Sequence, residues 1–247
     1  MKNILIIGYP KSGTTWLSRL VGEVLQAPVK GYWNASHDDP ATEGLDRESD
    51  YCCYKSHISY ENLRKQERVH KCIYLYRDPR DIAVSGAYFF QKPVSKLFRL
   101  PLINYAYGFY EKNFILPSMK LKMSEDIVTG NTRFAKALGL PWSEHLKPYL
   151  KDNDILKISF EELRTEPSRS IKKITDYLDI TVDNSQISQA IENQSLKSVK
   201  KVSLLAGDRI VREGKLGNWK TELPLRAKSL LNMSLKKELE MLGYPMD

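Results

Sequence analysis

The chain opens on an unbroken apolar run, Ile4 to Ile7, between Asn3 and Gly8. Such a run fits a strand buried on both faces of a parallel sheet. A short loop, Tyr9 to Gly13, separates it from Thr14 to Gln26, where Trp16, Leu17, Leu20, Val21, Val24 and Leu25 recur at helical spacing. Strand, glycine-bearing loop and amphipathic helix in that order open an α/β nucleotide-binding domain. Residues 28–50 show no period and collect Gly, Asn, Asp and Pro, so an irregular segment is expected there. Further strands are predicted at Tyr51–Ser56, Lys71–Tyr76 and Asp154–Ser159. Helices are predicted from Pro79 to about Phe90, over Pro167–Leu178 with a cap from the preceding polar turn, and within Leu225–Leu242. Residues 93–123 mix basic and aromatic side chains and are expected to be helical, with breaks near Pro101 and Pro117. Gly207–Lys220 is a basic loop punctuated by glycine. No repeat, low-complexity tract or linker divides the chain. The expectation is an α/β fold: a single domain over residues 1–247, with a mostly parallel central sheet flanked by helices.

Composition narrows the classes. The 247 residues are 42% apolar and 28% charged, enough for a core and too interspersed for disorder. The longest uncharged stretch, Leu100 to Tyr110, has eleven residues, against the roughly 20 that a membrane-spanning helix needs. Lys11 and a turn interrupt the apolar start, so no signal peptide is expected. Cys52, Cys53 and Cys72 cannot build a disulfide framework and lack zinc spacing, which points to a reducing, cytoplasmic location. The formal charge of +8 suits nucleic acid, an acidic membrane or a phosphorylated small molecule. The basic residues are dispersed and no nucleic-acid module appears, which favours the small molecule.

The loop carries the first chemistry. Gly8 and Gly13 keep Walker A spacing, and Gly13 leads into a helix whose free N–H groups attract an anion. Thr14 replaces the lysine that should follow the second glycine, and the loop lysine is Lys11 instead. Lys11, Ser12, Thr14 and Thr15 are all able to donate to an anion. Downstream, Arg77 ends an apolar strand, where open parallel sheets bind their ligands. Lys55 and His57, two apart on an extended segment, face the same way. Histidine suits a general base near neutral pH.

Three segments together resemble the cytosolic-type sulfotransferases, which use 3′-phosphoadenosine 5′-phosphosulfate (PAPS). Tyr9 to Trp16 is similar to that family's 5′-phosphosulfate loop. Tyr76 to Ser85 is similar to its 3′-phosphate segment, with Arg77 and Ser85 eight positions apart. Arg212 to Lys220 is similar to its Arg-x-Gly-x-x-Gly-x-Trp-Lys loop. The resemblance implies that His57 is the base, that Lys11 and Lys55 stabilise the leaving oxygen, and that Lys11, Ser12, Gly13, Thr14 and Thr15 hold the 5′ end. It implies Arg77, Ser85, Arg212, Glu213 and Gly214 around the 3′-phosphate, and Trp16, Phe160 and Leu196 at the adenine positions. Phe160 and Leu196 depart from the family's Tyr and Phe, and Glu213 stands where a basic residue is common. No metal is expected. The family's short dimerisation motif is not recognisable, and the loop begins at residue 9 without the extension that helps wall the acceptor pocket in animal members.

The expected reaction is sulfuryl transfer to a hydroxyl or amine of a small acceptor. Aromatics within residues 31–54 and 88–123 (Tyr32, Trp33, Tyr88, Phe89, Phe90, Tyr105, Tyr107 and Phe109) point to an apolar or aromatic acceptor. A P-loop kinase, which needs Mg²⁺ and a nucleoside triphosphate, is disfavoured by the missing lysine after Gly13. A nucleotide sensor without catalysis is disfavoured by Lys55 and His57 beside the anion loop.

Overall fold

A computed structural model describes residues 1–33, 41–90, 108–131, 139–195, 198 and 214–246. The described chain forms two compact units, Met1–Arg77 with His145–Gly214 and Asp78–Glu144 with Lys215–Asp247.

The first unit holds the sheet. Its strands are β1 (Lys2–Ile7), β2 (Val29–Tyr32), β3 (Ala41–Glu43), β4 (Tyr51–Ser56), β5 (Val69–Tyr76) and β6 (Leu156–Ser159), in the order β3-β2-β4-β1-β5-β6. All neighbours are parallel except β3, which runs against β2. The α/β class and the mostly parallel sheet are as the sequence predicts. Strands β2 and β3 correct the expectation of an irregular 28–50 segment. They are short and end the sheet, so in β2 only Val29 is buried and no apolar run announces it.

Side chains alternate across the strands. Ile4, Ile6, Ile73 and Leu75 face α1 (Thr14–Val24) and two further helices of the unit, Pro167–Tyr177 and Asn184–Asn193, around which an apolar core closes. Tyr74 points to the other face, against the part of the Trp142–Lys151 helix that belongs to this unit. Both the 142–151 and 184–193 helices are additions to the sequence reading. Pro148 inside the first hides its period. The expected cap on the Pro167 helix is absent: the side chain of Glu166 makes no capping hydrogen bond, and Pro167 begins the helix with no N–H to satisfy.

In the second unit, Pro79–Phe90 is helical as predicted. Pro117 does not break a helix. It sits in the first turn of Leu116–Thr129, which a π-helical turn at Glu111–Ile115 precedes. Gly86 allows these helices to meet closely, since a Cβ there would lie 2.5 Å from Met123 Cε. The C-terminal tail forms two helices, Leu225–Ser234 and Lys236–Met241. Among the described residues, no helix is long and apolar enough to cross a membrane.

Candidate active site

Register brings several of the predicted residues to one end of the sheet. Ile7 pairs with Ser56 and Tyr74, and Tyr76 pairs with Ser159. The residues that follow these strands are therefore neighbours at their carboxyl ends: the loop after β1, His57 after β4, Arg77 after β5 and Phe160 after β6. Open parallel sheets bind ligands in that position.

Glycine at both ends of the loop is required by shape. A Cβ on Gly8 would lie 2.4 Å from the Leu75 carbonyl oxygen. Gly13 has φ +102°, and a Cβ there would lie 2.7 Å from the Phe160 ring. Gly13 is also the N-cap of α1, so no side chain caps the helix, and its first turn is left facing the loop. Lys11 holds φ +71°, an uncommon conformation for a residue with a side chain. Ser12 Oγ is fully buried and meets no hydrogen-bond partner among the described residues. Buried polar atoms normally have partners, so this hydroxyl fits a site that takes an oxyanion.

Three cations converge on the loop. Lys55 Nζ donates to Thr15 Oγ1 at 2.9 Å. Arg77 Nη1 donates to the Lys11 carbonyl at 3.3 Å, and its guanidinium lies 4.2 Å from the Phe160 ring centroid. Burial, then the charges of Arg77 and Lys55, lower the Lys11 ammonium to about 8. Positive charge is concentrated where an anion would relieve it.

His57 completes the group. Its Nδ1 lies 2.7 Å from the Gly8 carbonyl oxygen. A carbonyl only accepts, so Nδ1 carries the proton and Nε2 presents its lone pair. Burial, with Lys55 and Lys11 adding to it against the Gly8 hydrogen bond, lowers the imidazole to about 4. The ring is neutral at physiological pH. Tyr32 stands beside it: its hydroxyl is 3.5 Å from Nε2, and the Lys55 ammonium lies 4.6 Å from its ring centroid.

Trp16 and Phe160, both almost fully buried, meet edge to face with centroids 5.9 Å apart. Trp16 Nε1 donates to the Gln194 carbonyl at 2.7 Å. Gly214 has φ +60°, and its carbonyl accepts from Arg164 Nε at 2.9 Å. Ser85 lies half-buried on the Pro79–Phe90 helix of the second unit. Leu196, Arg212 and Glu213 fall outside the described residues, as do Tyr105 and Tyr107. Of the aromatics expected around an acceptor, Trp33 is core, donating to Gln66 Oε1 at 2.8 Å. Tyr32, Phe89 and Phe109 are exposed.

Two sets of contacts are not visible in the sequence. In the second unit, Asp78 accepts from the Arg80 backbone N–H and pairs with its guanidinium. That guanidinium lies 3.7 Å from the Trp219 ring centroid, and Asp81 accepts from the N–H groups of Gly217 and Trp219 at 2.8 and 3.0 Å. The Asp-Pro-Arg-Asp segment thus orders the turn that follows Gly214, which local sequence alone does not reveal. In the first unit, His145 is buried beneath the backbone of His57. Its helical stripe with Trp142, Leu146 and Tyr149 was the available signal. Among the described residues, no group of three or more His, Cys, Asp or Glu side chains could hold a metal ion.

The family model of the sulfotransferase domain matches residues 1–243. The chain belongs to that family and is a sulfotransferase. Human sulfotransferase 2A1 is 27% identical over 244 residues, covering 89% of this chain and 78% of that protein. Mouse sulfotransferase 1B1 is 24% identical over 269 residues, covering 96% and 82%. The fold is similar to that of mouse sulfotransferase SULT7A1 complexed with PAP, the desulfated nucleotide, with a TM-score of 0.64 at 20% identity, covering 98% of this chain and 88% of that one. It is also similar to retinol dehydratase in complex with androsterone and PAP, with a TM-score of 0.58 at 16% identity and coverage of 97% and 82%.

Proposed function

We propose that this sulfotransferase transfers the sulfuryl group of PAPS to a hydroxyl or amine of a small, apolar or aromatic acceptor, without a metal, and that residues 1–247 act as one cytoplasmic domain. The observation that carries the reading is the fully buried Ser12 hydroxyl, unpartnered among the described residues, in a loop fenced by Lys11, Lys55 and Arg77. When bound, PAPS supplies an electrophilic sulfur on a phosphate leaving group. Ser12, Thr14, Thr15 and the first turn of α1 hold its 5′ end. Lys11 and Lys55 place positive charge at the departing oxygen. Arg77 holds the 3′-phosphate, and Trp16 and Phe160 supply the aromatic surface for the base. His57 Nε2 takes the proton of the attacking acceptor, a role that the neutral ring with its proton fixed on Nδ1 suits. Tyr32, exposed beside Nε2, is the first side chain such an acceptor meets. The androsterone and retinol of the retinol dehydratase complexes support an apolar alcohol as acceptor.

The test is ligand stabilisation. PAP should raise the melting temperature in buffer containing EDTA, because a ligand that binds only the folded state stabilises it. A shift with ATP and Mg²⁺ but none with PAP would favour a kinase instead.

A further inference from the structure

We infer that His145 is a positioning residue for this reaction: with Tyr149 it clamps the backbone of His57 and Ile58 and thereby sets the orientation of the His57 ring. The inference rests on the reading of His57 as the base.

β4 ends at Ser56, so His57 and Ile58 lie just past the parallel ladder. Their carbonyls are held from the Trp142–Lys151 helix instead. His145 Nε2 is 3.3 Å from the His57 oxygen, and the Tyr149 hydroxyl donates to the Ile58 oxygen at 2.8 Å. Positions 145 and 149 are one turn apart on the same helical face, matching two consecutive peptide units.

The proton positions follow from the partners. The His57 carbonyl only accepts, so His145 carries its proton on Nε2. Its bare Nδ1 then accepts the Tyr74 hydroxyl at 2.9 Å. Tyr74 in turn stacks on Tyr149, with centroids 4.3 Å apart and planes 10° from parallel. The result is a closed circuit: β5 through Tyr74 to His145, the backbone after His57, Tyr149 and back to Tyr74. Burial lowers the His145 imidazole to about 4, which keeps the Nδ1 lone pair available. His145 touches main chain rather than the reacting edge of His57, so it acts through the base. With His57 Nδ1 on the Gly8 carbonyl and its own carbonyl on His145, ring and backbone are pinned at both ends.

The experiment compares two acceptors in PAPS-driven turnover. Androsterone carries an alcohol that needs a base, whereas 4-nitrophenol ionises near neutrality and needs little help. His145→Leu should lower kcat with androsterone by roughly 10- to 100-fold, the scale of a small misplacement at a reacting centre. It should spare 4-nitrophenol and leave the dissociation constant for PAP unchanged. In the His57→Ala background it should cost nothing further. His145→Gln, whose amide N–H reaches the same carbonyl, should restore most of the loss. A second readout needs neither acceptor nor nucleotide: in ¹⁵N-histidine spectra of the free protein, the protected His57 Nδ1–H signal should vanish in His145→Leu and return in His145→Gln. Equal losses with both acceptors, additivity with His57→Ala, or an unchanged Nδ1–H signal would overturn the inference. Should His57→Ala show no acceptor-dependent loss, the base reading fails, and the spectra still decide whether His145 orients the ring. Should His145→Leu not fold, Tyr149→Phe removes one clamp hydrogen bond while keeping the stacked ring. It should show a smaller loss in the same direction, and full androsterone turnover in that variant would overturn the inference.

Discussion

The Nδ1 of His57 lies 2.7 Å from the carbonyl oxygen of Gly8, joining the end of β4 to the first residue of the anion loop. One hydrogen bond thus fixes the tautomer of the proposed base and ties it to the proposed nucleotide site. His57→Ala should leave PAP binding nearly intact and cut turnover of an alcohol acceptor by roughly 10²–10⁴-fold. Isothermal titration with PAP and steady-state rates on the same preparation check both parts. Normal turnover would remove His57 from the mechanism.

The expected pH dependence follows from two opposite requirements of the proposed mechanism. His57 must be neutral to accept a proton, and its imidazole is lowered to about 4, so activity is lost as pH falls through about 4. Lys11 must be charged to stabilise the leaving oxygen, and its ammonium is lowered to about 8, so activity is lost as pH rises through about 8. The profile of kcat/KM for PAPS reports the free enzyme. It should be flat through neutrality with a basic limb near 8, and Lys11→Arg should move that limb upward. A limb that stays in place would exclude Lys11 as its origin.

Gly13→Ala tests the shape of the loop. The substitution meets both a positive φ and the Phe160 ring at 2.7 Å. A strained backbone position of this kind costs about 1–3 kcal/mol, which for a chain of this size lowers the melting temperature by several degrees. Since the same residue starts α1, PAP should also bind much more weakly. Calorimetry with and without PAP reads the two effects, and a variant with unchanged stability and affinity would contradict the loop geometry.

Arg77→Ala separates the two ends of the nucleotide. A hydrogen bond to a charged group contributes about 1.5–3 kcal/mol, so PAPS should bind roughly 10- to 100-fold more weakly. Adenosine 5′-phosphosulfate lacks the 3′-phosphate and should lose less, its share being the Arg77 support of the Lys11 carbonyl. Equal losses would assign Arg77 to the loop alone.

Much of this was legible in the chain because its signals are local. The run Ile4–Ile7, the loop glycines and the strand that ends at Tyr76 each announce themselves within a few residues, and parallel pairing then brings their ends together. Strands β2 and β3 were not legible, because at the border of the sheet they bury too little to leave an apolar pattern. The partners of His145 were not legible for another reason. Tyr74 and the His57 carbonyl are 71 and 88 residues away from it, and Pro148 masks the helix that aims it. The contacts of Asp81 with Gly217 and Trp219 are likewise visible only after folding.

The central claim is sulfuryl transfer, and product analysis tests it most directly. The protein would be incubated with PAPS and a panel of phenols, aliphatic alcohols and amines in metal-free buffer, and the mixture read by mass spectrometry. A sulfated acceptor should appear together with an equimolar amount of PAP, and both should be strongly reduced in His57→Ala. Phosphorylated product from ATP and Mg²⁺, with no sulfated product from PAPS across the panel, would contradict the account.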